Sequence, residues 1–461
     1  MAGGTWTSQN KPLPGVYINV SSRGSMNTSV SERGIVAIAK SLSWGEKGKI
    51  RKYVPGADTI SLTGYSATEE DSYFLSQIIT GTNRTSPPFL VYLYRLEGTG
   101  GATAEATVGG LHVKAKYEGE RGNDITVIVS EDPDNEGLYE VKTVVDGSVV
   151  DAQEVTEVSQ LADNAWCVFS GKNTEIEATA GTPLAGGINP EVSAKDYAKF
   201  LTALEPYQFD VLIYDGEDMT TMQAVASFVK RLSNNIGQKC QAVMANAEGF
   251  DSEFVISVKN GLELNDGKKL TAQEATWWVG GAEAGAAYFQ SLTYAKHPYA
   301  VAACPKLAET EVVEAVKAGH VVFIDNFDEV KICQDINTLT TFTPDKGEEF
   351  SKNRVMRVFM SICNDTYEYF SKTFLGATSN NRDGRNILRG WLVGYINEMQ
   401  ANGGVQNFSS DDVIVEQGNT LDAVLIYVGL QPVDAIEKVY TNMLLRNALD
   451  ALINEIDNAG K

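Results

Sequence analysis

The sequence predicts a mixed α/β (α+β), multi-domain fold. It has a mixed-sheet core with an inserted β-rich domain, a helical and strand C-terminal domain, and extended N- and C-terminal arms. Three observations predict it. Between residues 193 and 245, short apolar runs alternate with amphipathic helical patterns, the mark of a βαβ unit. Between Gly98 and Gly187 the pattern changes to period-two alternation. Strand-forming runs at residues 16–20 and 433–444 have no local hairpin partner, so each must pair at a distance or with another chain.

In chain order, residues 1–33 read as an arm and linker. Pro12 and Pro14 bar a helix, and Val16, Tyr17, Ile18, Asn19 and Val20 follow as a strand-length run. Residues 34–97 open the core, with strands near 35–39 and 89–94 and a helix from Ser66 to about Thr80 that turns Phe74 and Ile78 inward. Residues 98–187 form an inserted acidic β-rich domain with 16 Asp and Glu against 5 Lys and Arg, half of the chain's formal charge of -22. Such an insert is expected at the solvent side and removable without unfolding the rest.

Residues 188–345 resume the core. Ser193 and Asp218 sit at helix N-caps, Thr271 opens a helix running to about Leu292, and strands fall near 209–214, 240–245, 254–258, 299–303, 321–324 and 330–333. Residues 346–430 form the C-terminal domain. Helices are expected over about 351–375 and 385–400, with an excess of about three positive charges, and strands over 412–416 and 421–430. Residues 431–461 form an arm strand (about 433–444) and tail.

Composition excludes several function classes. The acidic balance repels nucleic acid and anionic membranes, and no run of about 18 apolar residues predicts a membrane span. The opening residues lack a secretory signal pattern. Five scattered cysteines without a C-x-x-C suit free thiols in a reducing compartment. Enzyme signatures fail on required parts. The segment from Gly261 to Lys269 has five residues between its glycines where a phosphate loop needs four, and Lys269 replaces the metal-binding hydroxyl. Gly280, Gly281 and Gly285 lie in a helical pattern, where close packing is the simpler reading. His112, His297 and His320 stand in separate segments. No cofactor or metal is expected. An acid at Asp215 or Asp218 could serve an α/β hydrolase, but no nucleophile cluster accompanies it.

Two segments carry a resemblance. Met1-Ala2-Gly3-Gly4-Thr5-Trp6 with Asn10-Lys11-Pro12-Leu13-Pro14-Gly15-Val16-Tyr17-Ile18-Asn19, and Leu430-Gln431-Pro432-Val433-Asp434-Ala435-Ile436-Glu437-Lys438-Val439-Tyr440, resemble the two ends of contractile tail sheath proteins. These are known from phages, defective prophages and phage-tail-like bacteriocins of Gram-positive bacteria. The resemblance implies a structural subunit, not an enzyme, in a virion tail or phage-tail-like particle assembled in the host cytoplasm. Copies would stack as six-membered discs around an inner tail tube and meet baseplate and terminator proteins, without nucleic acid or membrane insertion. Contraction would drive the tube through a cell envelope.

The same resemblance makes Val16, Tyr17, Ile18, Asn19 and Val20 interface residues, with Val433, Ala435, Ile436, Glu437, Lys438, Val439 and Tyr440 at the other end. It turns the 346–430 domain toward the tube, with Lys352, Arg354, Arg357, Arg382, Arg385 and Arg389 as candidate contacts. A non-contractile surface-assembly protein is the other structural reading, and it would call for a secretion signal.

Overall fold

The computed structural model describes residues 33–171, 176–344 and 346–443, and the backbone pairing of Gly3–Gly4 with Val16–Tyr17. The expected continuation of the N-terminal strand through Ile18, Asn19 and Val20 lies outside the described residues. Two units are present, Glu32–Asn364 with Val433–Lys461, and Asp365–Pro432 with Met1–Ser31.

The larger unit is built on a seven-stranded mixed sheet. Its order is His320–Val321, Val255–Val258, Gln241–Ala245, Val211–Tyr214, Ile35–Lys40, Leu90–Arg95 and Ile50–Tyr53. The first six run parallel and the last antiparallel. Near-continuous apolar strands demand cover on both faces. Phe200, Leu204, Val225 and Val229 of helices Ala194–Leu204 and Met219–Arg231 cover one face. Ala275, Trp278, Val279 and Ala282 of helix Ala272–Gly285 cover the other, with Phe74 and Ile78 of helix Tyr73–Ile78.

Caps explain where these helices start. Asp218 accepts from Thr221 N at 2.8 Å, Glu274 accepts from Thr271 N at 2.8 Å, and Asp196 accepts from Ser193 N at 3.0 Å. The helix read as running to about Leu292 stops at Gly285, and helix Glu309–Lys317 was not anticipated. Close approach requires the helical glycines. A Cβ on Gly281 would lie 1.9 Å from the Ile78 carbonyl oxygen, and one on Gly285 2.1 Å from that of Ser86.

Period-two alternation carries residues 105–183 into two packed sheets. One has four strands in the order Ser148–Val155, Tyr139–Val145, Ile125–Glu131, Thr179–Pro183; the other has three, in the order Cys167–Ser170, Leu111–Ala115, Glu105–Val108. Their shared core takes Trp44 from outside the module, at 4.8 Å from Trp166 and 5.2 Å from Tyr117. Arg95, also buried, donates to the Leu42, Gly45 and Glu118 carbonyls.

Helix Asn353–Thr373 begins in the larger unit, on a buried ionic cluster. Fully buried Arg357 donates to Glu283, to Asp335 Oδ2 at 2.7 Å and to the Gln290 carbonyl at 2.6 Å. Asn353 donates to Asp335 Oδ1 at 2.9 Å, and Leu292 N to Asp335 Oδ2 at 2.9 Å. Burial pushes both carboxyls up. For Asp335 the Arg357 charge and these donors outweigh burial and hold it below the usual carboxylate range. For Glu283, burial and the Asp335 charge win and hold it well above that range. Two carboxyls beside one guanidinium are thus pushed in opposite directions, Asp335 down and Glu283 up.

In the smaller unit, Tyr369 stacks on Trp391 at 4.3 Å and Tyr395 donates to Asp365 Oδ2 at 2.6 Å, which joins the end of helix Asn353–Thr373 to helix Arg382–Ala401. Val405–Gln406 pairs with Gln431–Pro432, and Val413–Gln417 with Val424–Val428.

Two predictions follow from this packing. Asp335→Asn strands the Arg357 charge and should cost about 3–5 kcal/mol in urea unfolding, whereas Glu283→Gln keeps the shape of the acid that burial and Asp335 push up and should stay within about 0.5 kcal/mol. The signs with pH differ. The Asp335 contribution is lost as pH falls through its depressed value, and the Glu283 contribution as pH rises through its raised value. Glu283→Gln should therefore remove the alkaline loss, and equal damage from both variants would show Glu283 ionised at neutral pH. For the β module, deletion of 98–187 across a Gly/Ser bridge uncovers Trp44. The deletion carrying Trp44→Ser should fold and the one retaining Trp44 should aggregate; unfolding of both would show that the module is not separable.

Candidate assembly surface

A ligand site in an open α/β sheet would lie at the C-terminal ends of the strands, where chain order reverses. Here that point falls between Ile35–Lys40 and Val211–Tyr214. Side chains fill it. Lys40 Nζ meets Asp215 Oδ2 at 2.5 Å, Trp277 Nε1 donates to the same oxygen at 2.6 Å, and Lys40 lies over the Trp277 ring at 5.0 Å. Asp218 is committed to its helix cap. The segment resembling a phosphate loop is a strand, Gly261–Leu264, and its turn; a Cβ on Gly261 would meet the Leu270 carbonyl oxygen at 1.8 Å. His320 bonds Ser257 at 2.7 Å and His297 bonds Gln77 at 3.0 Å, both in the interior, and burial lowers His297 to about 4. These groups are spent on packing.

Unpaired backbone and bare apolar side chains occur elsewhere. Among the described residues, 433–443 have no ladder partner, so no strand is formed over that part of the segment read as 433–444: an extended segment becomes a strand only against a second edge. Ile436 is 88% exposed, Val439 77%, Tyr440 90% and Met443 90%. Glu437 is the exception and is largely buried. Of the opposite arm, the backbone of Val16 and Tyr17 is described, and it pairs in parallel with Gly3 and Gly4, so the run expected to lack a local partner has one there.

The smaller unit carries a complementary feature. In its hairpin, Ile414 stands opposite Tyr427 and Glu416 opposite Leu425. Val413 is buried on the side of helix Arg382–Ala401, while Ile414, Leu425 and Tyr427 face out and are about half exposed. Among the described residues neither strand pairs with a third, and Arg389 meets the edge only at the Val413 carbonyl. A two-stranded sheet with open edges and an apolar outer face is a template for added strands. The strands were anticipated, but the apolar outer face they share was not. The available signal was the outward alternation of Ile414 on one strand with Leu425 and Tyr427 on the other.

The six basic candidates are scattered. Arg357 is a correction: it is fully buried against Glu283 and Asp335 and reaches no surface. Lys352 pairs with Glu437, and Arg354 is half-buried. Arg385 donates to Asn380 Oδ1 at 2.9 Å, and Arg389 to the Val413 carbonyl at 2.8 Å, tying the helix to the hairpin. Arg382 is exposed.

Comparison with known proteins agrees across the chain. Three family models match: the phage tail sheath protein beta-sandwich domain over residues 98–189, the phage tail sheath protein central domain over 191–338, and the phage tail sheath C-terminal domain over 345–446. The phage-like element PBSX protein XkdK of Bacillus subtilis is 33% identical, with 96% of this chain and 99% of the relative aligned. A crystal structure of the sheath tail protein from Desulfitobacterium hafniense superposes with a TM-score of 0.84 at 39% identity, covering 93% of this chain and 99% of that one. The helical sheath protein of the anti-feeding prophage in its contracted state shares the fold, with a TM-score of 0.56 at 13% identity over 94% of this chain and 99% of that one.

The hairpin leads to a separable test. Replacing Ile414 and Tyr427 together with serine should shift monomer unfolding by no more than about 0.5 kcal/mol per exposed site. The same variant should weaken self-association in sedimentation velocity. Unchanged association would remove the hairpin as the acceptor.

Proposed function

The chain belongs to the phage tail sheath protein family, and on that premise we propose that it is the repeating subunit of a contractile sheath, with a structural and not an enzymatic role. Copies would form six-membered discs stacked around an inner tail tube, bounded by baseplate and terminator proteins, in a particle assembled in the host cytoplasm. The observation that carries this is the pairing of opposites within one chain. Among the described residues, a two-stranded hairpin has no third strand, and a C-terminal segment has Ile436, Val439, Tyr440 and Met443 bare and no ladder partner. One chain's arm laid along another's hairpin satisfies both. Each ladder bond nets only about 0.5–1.5 kcal/mol, but several per arm, repeated along a lattice, make a continuous mesh.

In this reading the arms at Val16–Tyr17 and over 433–440, the latter reaching neighbours with its outer part, hold subunits together while the bodies repack between an extended and a contracted state. The stored energy is the difference between the two packings, with no nucleotide fuel. The acidic module over 98–187 would face outward, and the 346–430 domain would face the tube, with exposed Arg382 as its basic contact. Lys40, Asp215 and Trp277, locked together in the sheet's crevice, favour this reading over a hydrolase.

Electron microscopy of the purified protein at high concentration, with and without tube protein, should show tubular polymers built of discs. Discrete monomers in both conditions would count against the proposal. Deleting residues 1–20 should abolish the polymers and leave thermal unfolding of the monomer unchanged; sheaths of normal length from that truncation would remove the N-terminal arm from the mechanism.

A further inference from the structure

The C-terminal segment buries the wrong kind of residue for a loose tail. Its apolar side chains Ile436, Val439 and Tyr440 are bare, while the Glu437 carboxylate is only 10% exposed. Three donors from separate parts of the body converge on it. Thr293 Oγ1 donates to Oε1 at 2.7 Å, Gln334 Nε2 donates to Oε2 at 2.6 Å, and Lys352 Nζ, itself 16% exposed, closes an ion pair. Asp434 adds a second carboxylate 4.0 Å from the same lysine.

The socket is stiff. Lys352 pairs through its backbone with Ile336, two residues beyond Gln334. Thr293 accepts from Asp335 N at 2.9 Å while it donates to Glu437, so a single hydroxyl joins the carboxylate to the Arg357 cluster. Burying a carboxylate costs free energy unless every oxygen is met. Here burial acts to raise the Glu437 pKa, and the Lys352, Thr293 and Gln334 donors outweigh it and hold the group below its usual range. By contrast, nothing comparable holds the side chains of Val439 and Tyr440.

We propose that Glu437 is an anchor that clamps residues 434–437 to the chain's own body, so that the segment from Lys438 onward is presented, in a set direction and register, to a second copy of the chain. This deepens the sheath proposal and rests on it for the identity of the partner. The anchor explains how an arm can serve another subunit without its root swinging freely. A register error of one residue would turn Val439 and Tyr440 to opposite faces of the sheet they join.

The test uses the full chain and two readouts. Trypsin needs an extended, mobile segment to cut after exposed Lys438, and clamping at the preceding residue slows it. Glu437→Ala should speed that cut by about tenfold in the monomer, with thermal unfolding of the body unchanged. The same variant should give few or short polymers by electron microscopy. Lys352→Ala removes the same ion pair from the body side, leaves the trypsin site at Lys438 unaltered, and should change both readouts in the same direction. An unchanged cutting rate overturns the anchor whether or not the parent chain polymerises. Polymers equal to the parent's, or formed faster, overturn it too, the latter because the contact would then be a restraint on assembly. A parent chain that stays monomeric sinks the sheath proposal alone, and the trypsin comparison still decides the anchor.

Discussion

A guanidinium with no access to water organises the larger unit. Burying Arg357 is unfavourable unless every nearby group compensates, and the fold supplies the compensation from three places. Glu283 comes from the end of helix Ala272–Gly285, Asp335 from the loop after the strand Glu329–Ile332, and the Gln290 carbonyl from the segment between. That helix reaches its place because Gly281 and Gly285 let it touch the backbone at Ile78 and Ser86. Larger residues there would push Glu283 away and leave the cation without one of its acceptors. The start of helix Asn353–Thr373 is thus set by the packing of the sheet.

The cluster also shows why some residues could not be read from the sequence. Lys352, Arg354 and Arg357 stand close together in a segment richer in basic residues than the rest, and such a run reads as a solvated face. Yet at its start the helix is buried nearly all round: Asn353, Val355, Met356, Arg357, Val358 and Met360 are all inside. A helix enclosed on every side loses the one-faced periodicity that separates core from surface, and a buried charge announces itself only through partners distant in sequence. The end of the central helix was hidden for a related reason. Ala286 and Ala287 extend the apolar pattern past Gly285, but the chain there is a loop whose Ala287 N bonds Gln290.

Local chemistry was far more legible. Thr271 with Glu274 and Ser193 with Asp196 mark helix starts by side chain to backbone bonds that need no tertiary context. The parallel strands announce themselves as short apolar runs, since both faces are covered. The segment 433–444 lies between these cases. Its β-forming residues were readable, but a strand is a relation between two edges, and one chain holds only one of them. The hairpin over 413–428 differs: the outward alternation of Ile414, Leu425 and Tyr427 was visible in the sequence, but the lack of a third strand is a property of the sheet.

Glu437 brings these two limits together. A subunit that holds its neighbours through arms must keep those arms extended and apolar, which by itself leaves each arm with too many directions to point. One acid, buried in a socket of Lys352, Thr293 and Gln334, removes most of that freedom at the root and leaves the tip bare. The entropy of ordering the arm is then partly met before any neighbour arrives, so more of the ladder's modest free energy goes into the contact itself. The hydroxyl of Thr293 links that root to Asp335 and hence to Arg357. One chain of hydrogen bonds thus runs from the root of the arm to the start of helix Asn353–Thr373.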